Sequence, residues 1–430
     1  MSNHRITRIA SFATLSFAIY LSGFPALSAA NERNWSVDLH DYMMREANST
    51  ARRSYQPTLR LAATNNVIAV AIGIPDSPAT EDNWDRLYSG PWKVTLLLFD
   101  GNSGKLTKKS GPWSGGSSFQ LHPTGQGNFL LFIRQLYKES PNPGETLRLL
   151  SSSGEELKKM DLPESTTASR RGWSEFIVSP GGHMVLIGQI REGHVNYRAL
   201  EADTLETKFE WAREAGSDSP AIVAISDKEL LGFRDIPGQE KRRGWHPEKE
   251  AFARAFDGPW HPLNTTLDVS SSGLTAQGLN PTQVAFLSDN ILVGVHRKSS
   301  ECDSSIVELQ SDGTTPSRPV IPELPDRTTL TGPVAVTGDG QYFAVGFQHQ
   351  PWISHLLVDV LTMDLTFWPD ELLFLIWESS RPEPVARISL GTEVRAICFA
   401  PDDPPTLAFI AGSRLQVLRI HPKTDNSHGQ

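Results

Sequence analysis

The chain has 430 residues, with 49 acidic against 40 basic side chains, a net charge of −9 and 39% hydrophobic content. Its lysines and arginines are scattered, which argues against a nucleic-acid partner, because phosphate binding needs a concentrated basic face. The one basic run, Lys241-Arg242-Arg243, stands among Glu240, Glu248 and Glu250 and reads as a solvated loop.

Arg5 and Arg8 precede an apolar run from Ile9 to Tyr20, followed by Phe24-Pro25-Ala26-Leu27-Ser28-Ala29-Ala30. A short positive segment, an apolar core and small residues predict a signal peptide over residues 1–30, cleaved before Asn31. The apolar core is shorter than the ~20 residues of a spanning helix, so no membrane span is expected after cleavage. No Cys follows the small residues, which argues against a lipidated terminus. Cleavage removes two arginines and no acid, taking the net charge from −9 to −11. The expected location is secreted or periplasmic.

Trp35-Ser36-Val37-Asp38-Leu39 reads as an alternating strand. From about Pro57 to Ile420 one phrase then recurs seven times: an apolar strand, a Pro/Gly/Asp turn, a second apolar strand. Phe176-Ile177-Val178-Ser179-Pro180-Gly181-Gly182 leading into Met184 to Gly188 shows it plainly. So does Val334-Ala335-Val336-Thr337-Gly338-Asp339-Gly340 leading into Tyr342 to Gly346. Such units cannot bury their own faces and must stack on their neighbours. Second hairpins follow, as in Leu97-Leu98-Phe99-Asp100-Gly101-Asn102-Ser103-Gly104, with turn residues that tolerate positive φ or bond their own backbone. The expected fold is therefore all-β: a seven-bladed β-propeller of four-stranded antiparallel blades, with starts near 58, 117, 173, 220, 281, 332 and 393. It occupies residues 31–422 as a single domain, with a polar tail over 423–430.

The last repeat supplies three strands, ending at Arg414 to Ile420. The strand at Trp35 to Leu39 is expected to complete that blade and close the ring, leaving only short, protected edges. Two stretches depart from the pattern. Residues 237–280 are polar around Glu250 to Phe256, read as the third strand of blade 4. Residues 351–371 separate two strands of blade 6 and carry Trp352, Phe367 and Trp368. Ordered insertions of this kind are often functional, so Trp352 and Trp368 are candidates for an aromatic contact surface, with packing onto the blade beneath as the alternative.

No reaction motif is present. There is no Gly-x-Ser-x-Gly elbow, no His-Glu-x-x-His and no Cys-x-x-Cys pair, so no catalytic residue, metal ligand or cofactor is assigned. Cys302 and Cys398 fall in blades that are not neighbours, and Cys398 alternates with Val394 and Ala396 as a small buried residue would. Gly-Pro-Trp recurs at Gly90, Gly111 and Gly258 and reads as turn chemistry with an anchoring Trp.

The Ser179-Pro180-Gly181-Gly182 and Thr337-Gly338-Asp339-Gly340 turns, with the Asp100 to Gly104 hairpin, resemble those of WD40-like or YVTN-type bacterial propellers. Phe256-Asp257-Gly258-Pro259-Trp260 resembles a segment of uncharacterised exported propeller proteins of acidobacteria. The resemblance implies the fold and carries no catalytic residue. Two function classes follow. One is a non-enzymatic binding or scaffold module for a protein or carbohydrate ligand, acting as a monomer. The other is a propeller hydrolase or lactonase-like enzyme with its site at the central channel mouth. Residues at the starts of the inner strands would line that mouth: Ser174, Glu175, Glu393 and Arg395. The binding reading is preferred because propellers host both uses and no site motif argues for chemistry.

Overall fold

The computed structural model describes residues 32–44, 57–64, 66–75, 92–115, 118–134, 145–162, 175–191, 193–214, 219–235, 249–263, 281–286, 290–296, 304–310, 318–319, 328–330, 334–349, 371–379, 384–390, 394–400 and 405–420. Their strands form seven antiparallel sheets, taken here as blades and given from the inner strand outward. Blade 1 is Thr58–Ala63, Val67–Pro75, Trp92–Asp100 and Leu106–Gly115. Blade 2 is Phe119–Pro123, Phe129–Arg134, Glu145–Leu150 and Glu156–Leu162. Blade 3 is Glu175–Val178, Met184–Arg191, His194–Glu201 and Thr207–Glu214. Blade 4 is Ala221–Ile225, Glu229–Asp235, Lys249–Ala255 and His261–Pro262. Blade 5 is Pro281–Phe286, Asn290–His296, Ser304–Gln310 and Arg318–Pro319.

The four-stranded antiparallel pattern holds: six of the sheets have four strands, and the sheet of blade 6 has a fifth because its inner position is filled by two pieces. Its inner edge is split into Thr328–Leu330 and Ala335–Val336, both paired with Tyr342–His349, followed by Glu371–Glu378 and Ala386–Leu390. The sequence between the two pieces holds Gly332-Pro333, and proline has no N–H to continue a ladder.

Blade 7 is Val394–Ala400, Thr406–Ala411 and Arg414–Arg419, and its outer strand is Glu32–Asp38. Trp35 pairs with Val417 and Val37 with Leu415, so the ends of the fold are hydrogen-bonded in one sheet. Leu39 N–H donates to the Ser413 carbonyl at 2.8 Å, and Ser413 Oγ lies 2.9 Å from Asp38 Oδ1. The short helix His40–Met44 follows and buries Met43 beside Leu39.

One local device makes the repeated turn. In blades 2, 3 and 6 a hydroxyl residue follows the inner strand, and a glycine three residues on takes a left-handed φ. Gly127, Gly182 and Gly340 (φ 81°, 70° and 70°) donate back to the carbonyls of Thr124, Ser179 and Thr337 at 2.9–3.0 Å. The hydroxyls accept from the start of the next strand: Asn128 N to Thr124 Oγ1 at 3.1 Å, Met184 N to Ser179 Oγ at 3.0 Å, Tyr342 N to Thr337 Oγ1 at 3.0 Å. Only a residue without a Cβ takes that φ without strain, and only a short hydroxyl reaches those amides.

Side-chain alternation turns these sheets into a stack. Along Thr58–Ala63, Leu59, Leu61 and Ala63 pack toward blade 7, whereas Ala62 packs toward blade 2. Blades 7 and 1 meet through Trp35, Leu61, Ile72, Phe99, Ile410 and Val417. Blades 2 and 3 meet through Phe132, Leu147, Phe176 and Ile187, with the Phe132 and Phe176 rings stacked 4.4 Å apart. Burying a side chain of this size contributes about 1.5–3 kcal/mol, so the stack, more than any one turn, holds the ring.

Candidate functional site

The inner strands stand side by side around an axis, with blade 7 against blade 1 and blade 1 against blade 2. They all begin on one face, called the front, and end at the strand-to-strand turns of the back. At the back, Gly338 of blade 6 comes against Pro180 and Gly181 of blade 3, and these blades are not neighbours: a Cβ on Gly338 would lie 3.6 Å from the Pro180 carbonyl oxygen. Gly181 also lies close to the Asp227 carboxylate of blade 4, which a Cβ would approach to 3.2 Å. The turns of blades 3 and 6 thus meet across the axis.

The front carries a second irregularity. The inner strands of blades 4, 5 and 7 each break register near their first residues, between Ile222 and Ala224, Pro281 and Gln283, and Val394 and Ala396. Each break sets one extra residue out of the ladder: Val223, Thr282 and Arg395. Bulges re-aim side chains and recur beside binding sites. Val223 is accordingly exposed, against the buried Ile222 and Ala224, and Arg395 is partly exposed between buried neighbours.

The inner strands of blades 1 and 2 also carry polar groups. Arg60, the third residue of its strand, is exposed and donates from Nε to the Phe119 carbonyl at 3.1 Å and from Nη1 to the Leu59 carbonyl at 3.0 Å. Its guanidinium lies 5.9 Å from the Phe119 ring centroid. Among the described residues no carboxylate pairs with it. Loss of hydration inside the fold lowers its pKa from the ordinary guanidinium value. Beside it, His122 Nε2 is 3.2 Å from Gln120 Oε1, and the His122 ring is tilted against Phe176 at 5.8 Å. Burial, with the charge of Arg60 added, depresses the His122 pKa to about 4. His122 is therefore neutral at pH 7.

The residues expected from the sequence fare unevenly. Glu175 opens the inner strand of blade 3, paired with Gly188. Arg395 sits on the blade 7 bulge, at the mouth. Trp352, Trp368, Glu393 and Ser174 lie outside the described residues, as do Cys302 and the proposed leader. Cys398 is a free thiol packed toward blade 1, and burial pushes its pKa well above the ordinary thiol value. Arg60, Gln120 and His122 escaped the sequence reading. The same rule that selected Arg395, a polar residue near an inner-strand start, finds Arg60 and Gln120 when applied to blades 1 and 2.

Comparison with known protein families and with curated proteins finds no match. Solved structures do match in fold. The β-propeller domain of the trilobed protease from Pyrococcus furiosus, described as having an open velcro topology, superposes with a TM-score of 0.51 at 9% identity, covering 85% of this chain and 95% of that one. An acylaminoacyl peptidase from Pyrococcus horikoshii gives 0.49 at 9% identity over 84% of this chain. This chain spans about half of that peptidase, 52% of its length. The fold is a β-propeller. At such identities the likeness reaches the architecture alone, and it does not extend to a WD40-like or YVTN-type family.

Two copies of Gly-Pro-Trp are explained by packing. After the cis Gly111–Pro112 bond, Trp113 lies 5.6 Å from the Arg148 guanidinium of blade 2. Trp260 and Trp211 sandwich Arg254 at 5.3 and 5.1 Å, and Arg254 Nη2 donates to the Phe256 carbonyl at 2.6 Å. Both tryptophans anchor outer strands.

Proposed function

We propose that the protein is an exported, non-enzymatic binding module that takes its ligand at the front mouth of the central channel of a seven-bladed ring. The observation that carries this reading is the front of the ring, where register breaks near the starts of three inner strands set Val223, Thr282 and Arg395 out of their ladders. Breaks at the same end of three inner strands re-aim side chains there, as bulges beside binding sites do. Kinship with WD40-like or YVTN-type exported propellers is supported by the shared Ser/Thr-x-x-Gly turns. Export to the periplasm or beyond is supported by Arg5, Arg8 and the apolar run after them.

The reading is tested by thermal-shift screening of small molecules and peptides. Stabilising compounds should lose their effect in Val223→Trp, which fills the mouth, and keep it in Lys109→Ala on the outer strand of blade 1. Hits indifferent to Val223→Trp would refute the mouth. Turnover of a hit to product would install the alternative, a hydrolase or lactonase-like enzyme. For export, N-terminal sequencing of the mature protein should begin at Asn31.

A further inference from the structure

We infer that two copies of this chain pair edge to edge through the outer strand of blade 3, giving a dimer in place of the monomer expected from the sequence. Every outer strand leaves one row of backbone N–H and C=O groups unpaired, and such a row is a template for another strand. The other blades blunt theirs. Blade 1 carries the Gly111–Pro112 step inside its outer strand and breaks register with it twice. Blade 2 exposes Lys158 and Lys159. The outer strands of blades 4 and 5 are two residues long and end in Pro262 and Pro319. That of blade 6 is five residues long, and that of blade 7 breaks register between Arg33 and Trp35.

Blade 3 leaves its edge open. Thr207–Glu214 is eight residues long and holds no proline. Its one register break sets out Lys208, next to the turn, and residues 209–214 run in unbroken register against residues 194–199. Among the described residues no strand lies beyond it. Thr207, Lys208, Glu210, Ala212 and Glu214 are exposed, as is Phe209 at 37%. The strand is also braced from behind. Phe209 stacks on Phe256 of blade 4 at 5.0 Å, and Trp211 lies 5.3 Å from the Tyr197 ring and 5.1 Å from the Arg254 guanidinium. A braced edge has little freedom left to lose on pairing.

The charges along the edge select its occupant. Two copies related by a twofold axis pair antiparallel, and opposed residues share a face of the sheet, so odd residues oppose odd and even oppose even. A ladder centred on Phe209 runs through the break at Lys208. Centred on Glu210 or on Ala212, it sets Glu210 against Glu210 or against Glu214, and centred on Arg213 it sets arginine against arginine. Like charges directly opposite are destabilising. Centred on Trp211, the ladder opposes Trp211 to itself, Glu210 to Ala212, and Phe209 to Arg213 twice, placing a ring beside a guanidinium at both ends. Lys208 then stands opposite Glu214. The edge is complementary to a second copy of itself in this one register.

The test is sedimentation velocity on the mature protein over a range of concentrations, which should show a monomer–dimer equilibrium. Ala212 is exposed and opposes Glu210 of the second copy. Ala212→Lys should therefore tighten the dimer and Ala212→Glu weaken it, each about five-fold, with the melting transition of the dilute protein unchanged. Opposite signs would mean that residue 212 faces Lys208, and weakening by both would mean that it faces itself. Either outcome would overturn the pairing. A monomer at every concentration, or a dimer indifferent to residue 212, would overturn the edge contact altogether.

Discussion

At the residue scale, two glycines of the same repeated turn have different obligations. Gly182 has φ 70°, and a Cβ there would lie 2.8 Å from the Pro123 carbonyl oxygen and 2.9 Å from the Gly125 nitrogen. Backbone cannot move aside as a flexible side chain can. Gly182→Ala should therefore destabilise by more than the roughly 1–2 kcal/mol of the left-handed backbone alone. Gly338 has no positive φ, and its added Cβ would make ordinary contacts at 3.6 and 3.7 Å. Gly338→Ala should change the urea midpoint little, and equal losses for the two would contradict the turn geometry. His122 gives a pH signature. An unfolded imidazole titrates near 6.5, whereas the folded one is held at about 4 by burial and Arg60. Between those values the unfolded chain takes up a proton that the folded chain refuses, so this stability is complete above pH 6.5 and is lost as pH falls toward 4. At ~1.4 kcal/mol per unit, the loss has a ceiling of about 3 kcal/mol. Urea melts at pH 7 and 4.5 should show it in the native protein, and His122→Gln should flatten it.

At the scale of the element, the closing strand is the most consequential. Trp35 is buried, stacks obliquely on Phe99 at 6.4 Å and donates from Nε1 to the Gly101 carbonyl of blade 1 at 2.7 Å. Gly104, at φ 69°, lies so close beneath the indole that a Cβ would come within 2.6 Å of it. Trp35→Ala should cost about 3–5 kcal/mol, as other large buried aromatics do; a loss under 1 kcal/mol would mean that the strand is not the clasp. The opposite problem arises on the outer strands, which expose one edge. Lys108 and Lys109 of blade 1 and Lys158 and Lys159 of blade 2 are exposed on such strands, and charge there discourages pairing with another chain. Replacing all four with threonine should produce concentration-dependent association in light scattering at unchanged thermal stability.

Across the whole molecule, ring closure makes the first and last blades support one another. The hydrophobic layers run without a break from blade 6 through 7, 1, 2 and 3 to 4 among the described side chains. Opening the clasp should therefore raise hydrogen exchange first in Val67–Pro75 and Thr406–Ala411, and only later in Met184–Arg191. Uniform loss of protection would show a ring that unfolds as one unit.

Much of this architecture was legible in the chain because its causes are local. Apolar alternation sets the strands, the Ser/Thr-x-x-Gly spacing sets the turns of blades 2, 3 and 6, and an unfinished last repeat beside an orphan strand near Trp35 announces the clasp. Arg395, named from the sequence as a polar residue near an inner-strand start, is the extra residue of the blade 7 register break. The split inner edge of blade 6 was less legible, because its first piece, Thr328–Leu330, is three residues long and precedes the repeated phrase that starts at Val334. What only the tertiary structure decided is the site. The meeting of Gly338 with Pro180, the bulges at Val223 and Arg395, and the hold of Phe119 on Arg60 all join residues distant in sequence. Such contacts depend on how blades are set around an axis, and no local pattern records that distance.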